Sequence, residues 1–389
     1  MQKAKGVAVF ALLAVASASL SGCKSDQANR NSPAAKPTAR PAKWVAQYRS
    51  PRSAGFTGTT LSFFFYSSIS VVSSQVVYVA GDMPAGKSID ERVGVVLKTM
   101  DGGQSWSEMP IQSPSIQIPT LNDIHFISPD VGWVVGLDSA HEGVLLKTTD
   151  AGGSWSTLRL AENQAPTSVF FTDADNGWIS GATPPPNEEE GSGGPSAILA
   201  TTDGGRTWQP QINLSVSIHD LFFLDKMVGW ASGSRGTIYH TTDGGRTWNS
   251  QRTEIEAGDN IVIPGSEGAK MFRVLGIQFT DADHGFAAAA AEEEETGRVI
   301  ATSNRGEAWR RQFITADSGI RDIFFLNPDE GWAVTDRGSY VYHTIDGGHS
   351  WLSEPKVFEQ EVTLVRLGGA DASHVWAVGG GAVFFRISE

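Results

Sequence analysis

The chain has 389 residues, a formal net charge of −13 at pH 7, 43 glycines, 12 tryptophans and one cysteine. The acidic balance excludes a general nucleic-acid binder, which needs a basic footprint against phosphates. The lone cysteine excludes an intramolecular disulfide, and the length exceeds an ordinary single domain unless the architecture is a repeat.

The first element is a leader. Lys3 and Lys5 precede the apolar run Gly6 to Leu20, which is too short to span a bilayer comfortably, and "LSGC" follows, ending at Cys23. This pattern resembles a bacterial lipobox, so residues 1–22 are expected to be a lipoprotein signal peptide and Cys23 the lipidation site. Acyl chains there would hold the protein on a membrane. Residues 23–43 then carry the modified cysteine and a polar, Pro/Ala-rich stretch without large apolar residues, which reads as a disordered tether. Five basic residues against Asp26 make that tether positive, so the rest of the chain is more acidic than the whole.

From residue 44 onward three signals recur. The most regular is Ser/Thr-x-Asp-x-Gly-x-x-Trp, as in "YHTTDGGRTWNS". Its aspartates are Asp101, Asp150, Asp203, Asp243 and Asp346, with Asn304 in the fifth copy. Its tryptophans are Trp106, Trp155, Trp208, Trp248, Trp309 and Trp351, spaced 40 to 61 residues apart. Ahead of each copy lies an aromatic after a turn, followed by small or β-branched residues: Tyr78, Trp133, Trp178, Trp230, Phe286, Trp332 and Trp376. Ahead of most of these lies an apolar run closed by a polar turn, such as "DLFFLDKMVGW".

Each unit thus contains four short β segments bounded by Gly/Asp/Asn/Pro turns. The continuously apolar "FF" runs require strands covered on both faces. The expected fold is all-β: a seven-bladed β-propeller of four-stranded antiparallel blades over residues 44–389. The seventh unit ends at "GGAVFFRISE", without its fourth strand, while "KWVAQYRS" at the start of the repeat region begins with a tryptophan as fourth strands do. The segment Trp44 to Ser50 is therefore expected to pair with Val383 to Ser388 and close the ring, removing a sheet edge.

The Asp motif joins the third strand to the fourth. Glycine supplies positive φ, the carboxylate accepts amide hydrogens across the turn, and the tryptophan fills space between blades. Six copies around a ring read as structural joints, and Asn304 can serve a turn where it would fail as a general acid. "DAD" in the first turns, metal-like in composition, reads as structural for the same reason.

These motifs resemble the Asp-box, or BNR, repeat. The closest likeness is to the photosystem II assembly and stability factor family and related bacterial propeller lipoproteins, in "GW-x-x-G" followed by "TTDGGxxW". The resemblance covers about residues 44–389. It implies a seven-bladed ring, a lipidated N-terminus and a non-enzymatic role: binding a membrane protein, or its exported segment, during assembly. It implies no catalytic residue, metal or cofactor, and an arginine-rich patch on one face. Asp-boxes also occur in sialidases and xyloglucan-cleaving enzymes, so a carbohydrate-active enzyme is the alternative. "RIP", which a sialidase would carry, is absent, and xyloglucan cleavage uses two facing propellers.

Strand order places the long insertions on the face opposite the Asp motifs: Asp82 to Arg92, Thr183 to Ser196, Thr253 to Phe272 and Ala287 to Arg298, with the acidic runs Glu188 to Glu190 and Glu292 to Glu295 at their tips. The first strands enter the hub from that face. They bring Asn122, His219, Asp220, Arg321 and Asp322 to equivalent positions, with Arg273 two residues from its hub position. These six residues are the expected partner-binding ring. The expected setting is the cell envelope, facing the periplasm or exterior, or the thylakoid lumen in a photosynthetic host, with the protein monomeric.

Overall fold

The computed structural model describes residues 42–49, 65–84, 92–111, 117–160, 165–182, 195–251, 255–257, 260–262, 272–291, 296–315, 318–357 and 362–388. The expectations for the signal peptide, for Cys23, for the tether up to residue 41 and for the two acidic runs lie outside these residues. No helix among the described residues is long and apolar enough to cross a membrane.

Seven sheets form the ring, six antiparallel of four strands and one of five with a single parallel pairing, with no helix among the described residues. The innermost strands are Phe65–Val71, Thr120–Phe126, Ala165–Phe171, Ile218–Phe223, Phe272–Phe279, Ile320–Phe325 and Leu364–Asp371, and they define blades one to seven. Second strands such as Val77–Pro84 and Gly285–Ala291 are buried along their whole length. Their sequence is apolar but for Asp82, which pairs with Arg92, because neighbouring blades cover both of their faces.

One aromatic arrangement builds five of the joints. The second-strand aromatic of a blade stacks flat on the phenylalanine that ends the next blade's hub strand. Ring centroids are 3.6 Å apart for Tyr78–Phe126, 3.7 Å for Trp133–Phe171, 3.6 Å for Trp178–Phe223, and 3.5 Å for both Trp230–Phe279 and Phe286–Phe325. The Asp-box tryptophan meets each of these phenylalanines edge-on, as Trp248 does Phe223 at 88°. The ring also lies so close to the strand behind it that a Cβ at Gly229 would sit 2.3 Å from Phe223. This close approach explains the glycine before each second-strand aromatic of blades two to six.

The Asp-box is a hydrogen-bonded turn. In blade three Thr201 Oγ1 donates to Asp203 Oδ1 (2.8 Å) and accepts from the Gly205 amide (3.0 Å). The Thr207 amide and hydroxyl donate to the two Asp203 oxygens at 2.9 and 2.6 Å. These bonds, the Thr207 hydroxyl first, hold the Asp203 carboxyl down at about 2. Asp101, Asp150, Asp243 and Asp346 repeat the pattern. Asn304 keeps the amide bond from Ala308 (3.1 Å) but has no hydroxyl there to accept from.

Ring closure follows the sequence expectation, with two differences. Ala42–Arg49 pairs antiparallel with Ala382–Ser388, Trp44 opposite Arg386, so the strand begins two residues earlier than Trp44. Lys356–Val357 then pairs in parallel on its outer side, giving the seventh blade a fifth strand. A two-residue pairing carries no periodicity and leaves no sequence signal. The closure is also ionic. The fully buried Trp44 donates Nε1 to Glu354 (2.7 Å), and Arg386 donates to both Glu354 oxygens through Nε (2.9 and 3.1 Å) and to Oε1 through Nη2 (2.8 Å). Burial pushes the Glu354 carboxyl up, but hydrogen bonds from His343 and Arg386 bring it below its ordinary range.

Candidate functional site

In all seven hub strands the pairing with the second strand slips near the strand's start, and in blade seven it slips again between Gly369 and Asp371. At the shared position the bulged residues are Ser67, Asn122, Thr167, His219, Leu275, Arg321 and Val365. A β-bulge re-aims its extra residue. Repeated around the ring, it brings one side chain from every blade to a shared cavity of about 270 Å³, which Phe65 and Arg366 also line. Asn122, His219 and Arg321, expected from sequence as hub residues, are therefore brought together at this mouth.

The residues one step further along form a second tier: Ser68, Asp123, Ser168, Asp220, Gly276, Asp322 and Arg366. Aspartates alternate with small residues, and each aspartate ties neighbouring blades together. Asp123 accepts from the Ser68 hydroxyl (2.6 Å) and the Val169 amide (2.8 Å). Asp220 accepts from the Ser168 hydroxyl (3.4 Å) and the Ile277 amide (3.0 Å). Asp322 accepts from the Leu367 amide (2.7 Å), and it lies so near blade five that a Cβ at Gly276 would fall 2.5 Å from its Oδ1. Asp220 and Asp322 thus sit beneath the mouth, engaged by backbone, and are not at its surface as a partner-binding ring would require.

Seven is odd, so the alternation fails once, and Arg366 stands at the failure. Its Nη1 is 3.9 Å from Asp322. Burial disfavours the Arg366 charge, but Asp322, Asp220 and Asp123 together raise its pKa above the ordinary guanidinium value. Withdrawal from bulk water pushes the Asp220 carboxyl up to about 7 and Asp322 to about 6, the nearby Arg366 opposing both.

Above this tier the mouth is cationic. Arg321 makes no hydrogen bond or ion pair among the described residues, and burial, then the charge of Arg366, lowers its pKa. Arg273 is not among the residues lining the cavity; its backbone is bridged to Ser234 and its charge reaches His219. The His219 imidazole is 3.0 Å from the Ser234 hydroxyl, and burial followed by Arg273, Arg321 and Arg366 drives its pKa down to about 4. Near neutral pH His219 is therefore an uncharged hydrogen-bonding group among three guanidinium groups. Such a mouth suits a carboxylate, which accepts charge-assisted bonds from arginine.

Arg366 escaped the sequence reading. Its signal was the alignment of "LVRLGG" with "IRDIFF", which places an arginine in the column of the tier aspartates. Among the described residues no three His, Cys, Asp or Glu side chains converge as a metal site requires.

Two overlapping stretches, residues 89–174 and 114–217, match the family model described as "Photosynthesis system II assembly factor YCF48". No curated protein matches the chain in sequence. Among solved structures, YCF48 bound to D1 peptide superposes with a TM-score of 0.61 at 16% identity, over 90% of this chain and 100% of that one. YCF48 from Cyanidioschyzon merolae gives 0.57 at 17% identity, over 88% and 98%. A GH74 xyloglucanase from Xanthomonas campestris gives 0.59 at 13% identity, over 88% of this chain and 53% of that one. At these identities the superpositions establish the shared propeller fold.

Proposed function

We propose that this photosystem II assembly factor-like β-propeller is a non-enzymatic binder that receives a carboxylate-bearing, extended segment of a membrane protein at its hub mouth. The observation that carries this reading is the cationic mouth itself: Arg321 and Arg366 line it beside a neutral His219, whose pKa the charge of Arg273 also lowers, with one bulged residue from each blade shaping the entrance. The D1 peptide held by the structurally similar YCF48 supports a peptide as the ligand class. A lipid on Cys23 would keep the ring beside its partner during assembly, in the cell envelope.

The hub chemistry favours binding over glycoside cleavage. Hydrolysis needs two carboxylates flanking a bond, one of them free to transfer a proton. Asp123, Asp220 and Asp322 instead each accept from an amide of an adjacent blade, beneath the mouth. The test is capture of a membrane protein from detergent-solubilised membranes by the purified chain. The reading expects a defined partner that is lost with Arg321→Glu and with Arg273→Glu. Turnover of a glycoside by the purified chain would refute it.

A further inference from the structure

On the Asp-box face adjacent blades are tied by a recurring bond. A side chain donates to the carbonyl of the residue after the Asp-box aspartate or asparagine. Lys98 Nζ reaches Ala151 (3.2 Å), and Trp133 Nε1 and Lys147 Nζ reach Gly204 (3.2 and 3.3 Å). Trp178 Nε1 reaches Gly244 (3.1 Å), Gln251 reaches Arg305 (2.8 Å), and Gln47 reaches Gly102 across the closing joint (3.0 Å). The corresponding acceptor in blade six is the Gly347 carbonyl. Among the described residues nothing donates to it.

Two residues of blade five contribute to this. Phe286 stands where Trp133, Trp178 and Trp230 stand and has no N–H. Ala301 stands where Lys98 and Lys147 stand and has no reach. Blade three has an alanine at the same place, Ala200, but Trp178 keeps its bond. Blade five lacks both of these donors, its Gln312, in the place of Gln47 and Gln251, donates nothing to Gly347 among the described residues, and there a cavity of about 440 Å³, lined in part by Gln312, opens between blades five and six.

We propose that this cleft is a docking pocket for a primary alkylammonium group, the side chain of a lysine presented by a partner protein. The chain supplies the template. The Lys147 ammonium lies 4.9 Å from the Trp133 ring centroid and donates to the Ala174 and Gly204 carbonyls, both at 3.3 Å. In the cleft the same two positions are held by Pro328 and Gly347, and Phe286 takes the place of the indole. Carbonyls and an aromatic face together are a recurring ammonium site.

Asp329 and Asp346 line the cleft with one arginine, Arg310, the Asp346 carboxylate accepting from Thr344 and Ser350 in its turn. The two imidazoles that face it are already engaged, His284 with Asp281 at 2.9 Å and His349 with the Asp346 carbonyl at 2.6 Å. The cleft lies on the face opposite the hub mouth, so the inference stands independently of the proposed carboxylate site.

The test titrates the full chain with Nα-acetyl-lysine methylamide and with its uncharged norleucine counterpart at pH 8, above the usual imidazole range, following backbone amide shifts. The expected result is a lysine-specific response clustered at Gly347, Gly348 and Asn304. Ala301→Lys, which restores the internal ammonium, and separately Phe286→Trp, which restores the indole donor, should each weaken it about tenfold or more. An equal response to the norleucine compound, a response centred elsewhere, or unchanged affinity in a folded variant of either kind would overturn the proposal.

Discussion

Arg366 and Asp322 face each other at 3.9 Å across the joint between the sixth and seventh blades. Around the rest of the second tier an aspartate meets a small residue; here a guanidinium sits among three carboxylates that all favour its charge. Arg366→Met keeps the side-chain volume and removes the charge. It removes the guanidinium nearest Asp322 and leaves that carboxylate with Arg321 as its other cationic neighbour, so the expected loss is about 3–5 kcal/mol in chemical denaturation, the range for breaking a buried pair. Unchanged stability would mean that the amide hydrogen bonds alone satisfy the tier.

Asp220 makes stability depend on pH in a stated direction. Its folded pKa, about 7, lies above the ordinary carboxyl value, so the folded state holds a proton that the unfolded state has lost. The stabilisation is complete below the unfolded value and disappears as the pH rises through about 7. Asp220→Asn cannot titrate. Relative to the variant, the parent chain should therefore lose stability between about pH 5 and pH 8, as read by denaturation at each pH.

The closing joint is expected to be the least replaceable of the ring. Trp44 is fully buried, and Trp44→Ala should cost about 3–5 kcal/mol from lost packing. Glu354→Gln keeps the shape but removes the charge that Arg386 faces through three contacts. A drop in calorimetric Tm for both, with cooperative unfolding retained, is the expected result. A variant that unfolds in two separate transitions would show instead that the seventh blade is an independent unit.

Gly229→Ala probes the aromatic joints. The added methyl would fall 2.3 Å from the Phe223 ring, which itself stacks on Trp178 and meets Trp248 edge-on. Overpacking of this kind costs about 1–3 kcal/mol. A near-ultraviolet circular dichroism change should accompany the loss, because the three rings share one contact.

The blade count, the Asp-box turns and the closing strand were legible because each rests on a short-range rule repeated along the chain. Phenylalanines, glycines and tryptophans at fixed offsets carry the joints, and a missing last strand is matched by an extra first one. The hub ring was legible only in part. Asn122, His219 and Arg321 could be found by aligning blades, but the bulge that turns them to the mouth and drops Asp220 and Asp322 beneath it has no sequence mark. Arg366 was hidden because its column contains aspartate, serine and glycine elsewhere. The cleft between blades five and six was invisible for a related reason: it arises from what Phe286 and Ala301 lack.

Calorimetric titration of the purified full chain with an extended hexapeptide of alternating alanine and glutamate, against its glutamine counterpart, tests the hub assignment most directly. Saturable binding of the acidic peptide alone is expected, weakening with added salt and by about tenfold or more in Arg321→Glu. Binding should tighten as the pH falls toward about 5, because an anion at the mouth raises the pKa of His219, which starts at about 4, and the chain takes up a proton on binding. Equal binding of both peptides, or acidic-peptide binding indifferent to Arg321→Glu, would place the partner elsewhere and contradict the cationic hub as the functional site.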